Sequence, residues 1–315
     1  MKKSYNYSLY SIDRQKCDTG SQQYCIVGKT FIFRTLFIYI IAIIFVTTYY
    51  VKLNNLSYEA VKDFPADYII MYTFISYVVG NTVAILYALN KQKKVIEIEK
   101  KTYKKIEIIK LFFGAMGIQA VVIFINELVS IMHIDIYSNI SYWKLNVDLK
   151  SDIFIIIYLL FVAPITEEIL FRGIALKNFS NESVEVGLIM SSILFGLSHG
   201  NLLQAGASFF TGIIFASIVV KTGNILLAIM CHMFVNANSI IWDCLKNIER
   251  VKQIEIGYYS FWIVGSVVII LLSARKNIFK NIVKQRQIYM KIIKEPSMVA
   301  ILSFYIFILI MDVWS

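Results

Sequence analysis

The chain has 315 residues, of which 58% are hydrophobic, and its mean hydropathy is +0.65. A soluble domain of this length needs far more polar surface, so the composition indicates a membrane protein and excludes an ordinary soluble enzyme. The formal net charge of +10 would suit a nucleic-acid partner, but the distribution of the basic residues argues against one.

Long apolar segments follow one another after a polar N-terminal stretch, and a membrane-spanning helix needs roughly 20 mainly apolar residues. The candidate segments are 31–50, 67–89, 111–132, 153–171, 186–199, 202–220, 224–242, 258–273 and 297–313. The weakest are 186–199, which is short, and 202–220, which includes Gln204 and several small residues. With three prolines and no alternating ten-residue units, the pattern predicts an all-α, polytopic transmembrane bundle of about eight to nine helices.

The basic residues are concentrated in a few segments: five in 1–30, eight in 91–110 and seven in 275–294, against two each in 51–66 and 134–152. This is the positive-inside pattern of a multi-pass protein with a cytoplasmic N-terminus, and it makes the lipid bilayer the expected partner. We therefore expect no nucleic-acid partner. The chain divides into a basic polar cytoplasmic tail at 1–30 and a transmembrane domain at 31–315.

Two of these basic segments, 91–110 and 275–294, also have apolar residues at helical spacing. Each pattern predicts a basic amphipathic helix at the cytoplasmic membrane surface. Recognition of a partner or of lipid, and simple extension of the neighbouring spans, are both compatible with this pattern.

Three charged residues lie at the end of the apolar segment 153–171, where charge is rare and typically faces a bundle interior or a wet cavity. Glu168 and Arg172 are four residues apart, so they can form an ion pair on one helical face. Glu167 is about 100° around the helix from Glu168 and has no obvious local partner. Such a carboxylate is suited to general acid–base chemistry. Alternatively, both glutamates close the span at the interface, with Arg172 snorkelling.

Two more polar pairs occur in apolar helices: Phe195 with His199, and His232 with Asn236, each four residues apart. A single histidine of this kind is more often a satisfied interhelical donor than a catalyst. Together with Glu167, however, three helices offer acid, base or amide groups. Buried polar groups must be satisfied, which is simplest if all of them meet in one wet cavity. A glutamate, two histidines and an asparagine around water suit hydrolysis.

The three clusters read as the motifs EExxxR, FxxxH and HxxxN, present as "EEILFR" (167–172), "FGLSH" (195–199) and "HMFVN" (232–236). With all three complete and in this order, the sequence resembles the CPBP family of intramembrane proteases. This family is also called the CAAX-protease and Abi group and is related to type II CAAX prenyl endopeptidases. The resemblance covers about 153–242, the expected catalytic core, and implies a glutamate-dependent peptidase within the bilayer.

The resemblance also implies a role for each motif residue. Glu167 would be the general base that activates water, and His199 would help to hold or deprotonate that water. His232 and Asn236 would hold the water or stabilise the oxyanion of the tetrahedral intermediate. The remaining motif residues would support the site: Glu168 and Arg172 as a structural ion pair, and Phe195 by packing.

Metal dependence is left open by these residues. Glu167, His199 and His232 could hold a divalent metal such as zinc, and family members are often labelled metalloproteases. The zinc motif HExxH is absent, however, and the three candidates come from separate helices. No cofactor is therefore firmly implied, and a metal-free mechanism is slightly preferred.

Straight spans raise a geometric difficulty. They would place Glu167 towards the cytoplasmic end of its helix and His199 towards the opposite end of the next one. The two could then not share a water molecule. We therefore expect segment 186–199 to be tilted, re-entrant or extended past His199.

The expected substrate is a hydrophobic or membrane-bound peptide: a prenylated CAAX protein, a leader peptide of a signal or bacteriocin, or a signal-peptide remnant. The Ile-, Lys- and Tyr-rich composition suggests a bacterial cell-membrane protein, for which CAAX substrates are less expected. The main alternative is a non-enzymatic bacteriocin-immunity or membrane scaffold protein that retains the motifs. A transporter with a proton relay would normally bring inverted repeats, and the sequence has none that we recognise.

Overall fold

The computed structural model of the chain describes residues 20–53, 66–92, 101–131, 149–181, 183–245, 257–266 and 285–314. Within these ranges every regular element is a helix. In chain order the helices are α1 (Gly20–Leu53), α2 (Ala66–Lys91), α3 (Lys105–Ile131), α4 (149–180), α5 (Val184–Leu197), α6 (Leu202–Thr222), α7 (Ile225–Leu245), α8 (257–266), α9 (Arg286–Lys294) and α10 (Pro296–Trp314).

Six of these helices are long and apolar enough to cross a membrane: α1, α2, α3, α4, α6 and α10. Helix α5 is apolar but has only 14 residues, and α7 is apolar over Ile225–Ile241, the part whose side chains are described. The prediction of an all-α, multi-pass membrane protein is thus confirmed. The predicted count of eight to nine spans is not confirmed, because α5 has only 14 residues and the predicted segments 224–242 and 258–273 are described in full only to residues 241 and 266.

The N-terminal boundary differs from the prediction. Helix α1 begins at Gly20, whereas the polar tail was predicted to extend to residue 30. Tyr24 and Val27 are fully buried, and the Tyr24 ring lies 6.0 Å from that of Phe179 in α4. These apolar residues recur at helical spacing and carry the helix into the core. Residues 20–30 of the predicted tail are thus helical, and residues 1–19 lie outside the described residues.

The two predicted amphipathic helices have different outcomes. Helix α9 forms within 275–294, with Ile292 fully buried and the lysines of its last turn exposed; residues 275–284 lie outside the described part. In the segment 91–110, residues 101–104 are not helical, and the Lys101 N–H donates to the Thr222 carbonyl. Its helical residues from Lys105 onwards begin α3, so they extend a span, and 93–100 are not described.

An aromatic ladder joins the helices of the core. The ring of Phe31 in α1 lies 5.0 Å from that of Phe171 in α4, which lies 5.0 Å from Phe195 in α5. Phe195 in turn lies 6.3 Å from Phe215 in α6. All four side chains are buried. The ladder places the first and second motifs on one packed unit with α1 and α6.

Helix α4 is not a regular α-helix. It contains two π-helical segments, Tyr158–Val162 and Ile169–Leu176, and the short α-helical turn Ala163–Glu168 lies between them. Wider π turns interrupt the regular helical register and are frequent at functional sites. Glu167 and Glu168 therefore lie on the one regular turn between two irregular segments, and this turn is the centre of the candidate site.

Candidate active site

The structure brings side chains of all three motifs together. The His232 Nδ1 atom of α7 lies 3.0 Å from Glu168 Oε1 of α4, and His232 Nε2 lies 3.9 Å from Glu167 Oε2. The Phe195 ring of α5 contacts His232 at 5.7 Å and His199 at 4.9 Å between ring centroids. Three helices that are separated along the chain thus form one cluster.

A buried charge cluster lies beneath the site. Glu168 and Arg172 are both 0% exposed, and Arg172 Nη1 lies 3.1 Å from Glu168 Oε1. Arg172 Nη2 also donates to the Gly212 carbonyl at 3.2 Å, and its guanidinium lies 4.4 Å from the centre of the Phe195 ring. The ion pair, the backbone acceptor and the aromatic face together compensate a charge that would be very costly alone.

Glu168 also orients His232. An ionised carboxylate can only accept a hydrogen bond, so His232 Nδ1 donates to it and Nε2 faces Glu167. The imidazole is held in that plane by Phe215, whose ring stacks on it at 4.9 Å with 22° between the planes. One nitrogen of His232 is therefore bonded to Glu168, and the other faces Glu167.

Glu167 has a different environment from Glu168. Its side chain is buried, with the residue 8% exposed, and His232 Nε2 lies 3.9 Å from its Oε2, beyond hydrogen-bond distance. Among the described residues none donates a hydrogen bond to it. Adjacent glutamates thus have different environments: Glu168 is neutralised, and Glu167 is available.

His199 lies in the turn between α5 and α6. Its Nδ1 donates to the Phe195 carbonyl at 2.7 Å, which leaves Nε2 as the free nitrogen. Helix α5 ends at Leu197, so the expected extension of this helix past His199 is wrong. The short helix followed by a turn still places His199 against the Phe195 ring, which also contacts His232.

The turn that contains His199 is fixed by its own sequence and by α10. Gly200 has φ +72°, a left-handed conformation that favours glycine. Asn201 caps α6 by accepting from the Gln204 N–H at 3.0 Å. The Asp312 carboxylate of α10 accepts from the Asn201 side chain at 3.0 Å and from the Leu202 N–H at 3.3 Å. The C-terminal helix thus holds the second motif in place.

Asn236 donates a hydrogen bond to a backbone carbonyl of α4 that has no donor within its own helix. The Ala163 N–H donates to the Tyr158 carbonyl, and Pro164, the next residue, has no N–H to give to Leu159. The Leu159 carbonyl instead accepts from Asn236 Nδ2 at 2.8 Å. One amide hydrogen of Asn236 is therefore used by the helix, and the other remains for the water or oxyanion role that the motif implies.

The candidate metal ligands do not form a ligand set in this arrangement. In the part of the chain that the structure describes, no three His, Cys, Asp or Glu side chains are grouped closely enough to hold a metal ion. His232 Nδ1 is bonded to Glu168 and His199 Nδ1 to a carbonyl. These two bonds leave the Nε2 atoms of both rings unused, as in histidines that ligate a metal through Nε2.

Sequence reasoning missed one charged residue beside the site. Arg34 of α1 is 3% exposed, and its Nε donates to Asn81 Oδ1 of α2 at 2.7 Å. Asn81 Nδ2 in turn donates to the hydroxyl of Thr166, the residue before Glu167, at 2.8 Å. The signal that could have found Arg34 is a cation inside the apolar segment 31–50, since such residues mark functional sites by default.

Comparison with known proteins supports the motif assignment. Residues 149–238 match the family of type II CAAX prenyl endopeptidase Rce1-like proteins, and the resemblance inferred from the three motifs is thereby confirmed for this segment. The chain is also 33% identical over 89 residues to an uncharacterized 24.3 kDa protein of Escherichia coli. That match covers 26% of this chain and 41% of the relative. No solved structure matches the chain.

Proposed function

We propose that this protein is an intramembrane endopeptidase that hydrolyses a peptide bond of a membrane-associated or hydrophobic peptide, with Glu167 as the general base. The observation that carries the proposal is the contrast between the two glutamates. Glu168 is neutralised by Arg172 and His232, whereas Glu167 is buried without a hydrogen-bond donor among the described residues. A buried, uncommitted carboxylate beside two imidazoles is the arrangement that water activation needs.

In the proposed reaction, the Glu167 carboxylate takes a proton from water as the water oxygen bonds to the substrate carbonyl carbon. The proton then passes from Glu167 to the nitrogen of the leaving amine as the C–N bond breaks. The products are a carboxylic acid and an amine, so atoms and charges balance. His199 assists by accepting a hydrogen bond from the water through its free Nε2.

The tetrahedral intermediate needs hydrogen-bond donors for its oxyanion. His232 can supply one through Nε2 in the form of the ring that carries a proton on both nitrogens. Asn236 can supply a second from the amide hydrogen that Leu159 does not take. The proposed division of work is thus a base at Glu167, a water ligand at His199 and an oxyanion site at His232 and Asn236.

The proposed substrates are hydrophobic peptides that reach the site within the bilayer: CAAX-type, leader or bacteriocin-related peptides. The proposed location is the cell membrane of a bacterium with the N-terminus in the cytoplasm. The positive-inside charge pattern supports the orientation.

The test compares the peptides of membrane and medium from cells that express the wild type or Glu167→Gln at matched levels. The control is Glu107→Gln, which removes a glutamate from a half-exposed ion pair with Lys221. We expect a precursor to accumulate, or a product to disappear, with Glu167→Gln but not with Glu107→Gln. If the peptides are unchanged and a cellular phenotype survives Glu167→Gln, the catalytic proposal fails.

A further inference from the structure

Arg34 is a buried cation that none of the three motifs contains. It comes from α1, far in sequence from the segment 149–238 that matches the peptidase family. Within the described residues no carboxylate lies within ion-pair distance of its guanidinium. A buried, uncompensated charge is costly and is typically retained for binding or transport.

Neutral groups hold the Arg34 guanidinium in place. Nε donates to Asn81 Oδ1 at 2.7 Å, and Nη1 lies 3.5 Å from the Tyr305 hydroxyl of α10. The guanidinium carbon lies 5.5 Å from the centre of the Tyr77 ring. Tyr305 is itself fixed by Thr35, 3.2 Å away. These contacts orient the group without neutralising it, and Nη2 makes no hydrogen bond to the described residues.

A close helix approach sets the position of this cation. A side chain at Gly80 of α2 would collide with the Arg34 carbonyl, since an added Cβ would lie 2.8 Å from it. The glycine lets α1 and α2 pack with their backbones almost in contact, which brings Asn81 to Arg34. Asn81 then links the cation to Thr166 on the turn that contains Glu167.

The cation and the reactive carboxylate therefore share one site. The hydrogen bonds from Arg34 to Asn81 and from Asn81 to Thr166 lead to the residue before Glu167, and the side chains of Tyr77 and Tyr305 lie next to the guanidinium. Glu167 does not pair with it directly, because the two groups are not within ion-pair distance. The result is a preoriented guanidinium with aromatic walls and a free nitrogen beside the base.

We infer that Arg34 is an anion-binding residue of this site and that it binds a carboxylate of the peptide ligand. The inference rests on the proposed function for the peptide nature of the ligand. A single guanidinium among neutral partners matches one negative charge, and its planar donors match a carboxylate. The carboxylate is either the free C-terminus of the peptide or an acidic side chain close to the scissile bond.

The test measures binding to the full-length protein in phosphatidylcholine nanodiscs, in the non-cleaving Glu167→Gln background. The probes are three N-acylated leucine–alanine tetrapeptides: one with a free C-terminal carboxylate, one with a C-terminal carboxamide, and one carboxamide with a single internal glutamate. Empty nanodiscs correct for partition into lipid. The second variant is Arg34→Gln, and the matched control is Lys29→Gln, an exposed cation of the same helix.

We expect one carboxylate probe to bind at least about tenfold more tightly than the neutral carboxamide, as charge-assisted hydrogen bonds allow. Arg34→Gln should abolish this preference, Lys29→Gln should keep it, and Arg34→Lys should keep part of it. The carboxylate probe that binds more tightly shows whether Arg34 binds the C-terminal carboxylate of the peptide or an acidic side chain. Equal binding of all probes, no binding, or a preference that survives Arg34→Gln would overturn the inference.

A purely structural role for Arg34 gives a different result. Arg34→Gln would then lower the melting temperature but leave the carboxylate-to-carboxamide ratio unchanged in the protein that remains folded. The inference can also fail or succeed separately from the proposed function, because binding is measured without cleavage. If carboxylate probes bind preferentially but Glu167→Gln leaves the cellular peptides unchanged, the protein binds peptides without cleaving them. If peptides are cleaved but carboxylate and carboxamide probes bind equally, the protein is an endopeptidase that does not recognise a carboxylate.

Discussion

The motif segment, α4 to α7, and the helices around it, α1, α2 and α10, contribute to the site in different ways. The motif segment provides the proposed reactive groups Glu167, His199, His232 and Asn236. The surrounding helices provide groups that orient them: Asn81 bonds to Thr166, and Asp312 holds the turn after α5. The segment that matches the peptidase family contains the proposed reactive residues. Their positions, however, also depend on helices outside that segment.

Removing the buried charge inside the motif segment should have the largest effect. Arg172→Ala leaves Glu168 buried without its cation, which costs about 3–5 kcal/mol in the free energy of unfolding. Thermal or denaturant unfolding in detergent measures this loss. The matched control is Lys221→Ala, which breaks a half-exposed ion pair with Glu107 and should cost about 0–1 kcal/mol. Similar losses in both variants would contradict the account of a buried charge cluster.

The contact between α7 and the irregular turn of α4 should have an intermediate effect. Asn236→Ala leaves the Leu159 carbonyl without a partner and should destabilise the protein by about 1–3 kcal/mol. Pro164→Ala restores a backbone N–H that can donate a hydrogen bond to the Leu159 carbonyl. The double variant should therefore lose less stability than the sum of the two single variants, with a coupling of about 0.5–3 kcal/mol. Additive losses would show that the proline and the asparagine act independently.

Removing the hydrogen bonds between α10 and the turn that contains His199 should have the smallest effect on stability. Asp312→Ala removes two hydrogen bonds to the turn that contains His199, at a cost of about 1–2 kcal/mol. Amide hydrogen exchange should increase at Leu202, whose N–H loses its acceptor. Peptide turnover should fall by a greater factor than global stability alone explains. Unchanged exchange at the turn would mean that α10 does not position the second motif.

Part of the site follows from the sequence because it is local. Glu168 and Arg172 are four residues apart on one helix, so helical periodicity by itself predicts their ion pair. Hydropathy likewise predicts an all-helical, multi-pass chain. The number of spans does not follow in the same way. Helix α5 has 14 residues and is as apolar as the longer helices, and hydropathy alone does not show where a helix ends.

The tertiary structure alone decided which faces of distant helices meet. The bond between His232 and Glu168 joins residues 64 positions apart, and nothing in the local pattern of either helix predicts it. The same holds for Asp312 and the turn at Asn201, and for Arg34 with Asn81. Contacts within one helix depend on its periodicity, which the sequence contains; contacts between helices depend on their packing, which only the folded chain specifies.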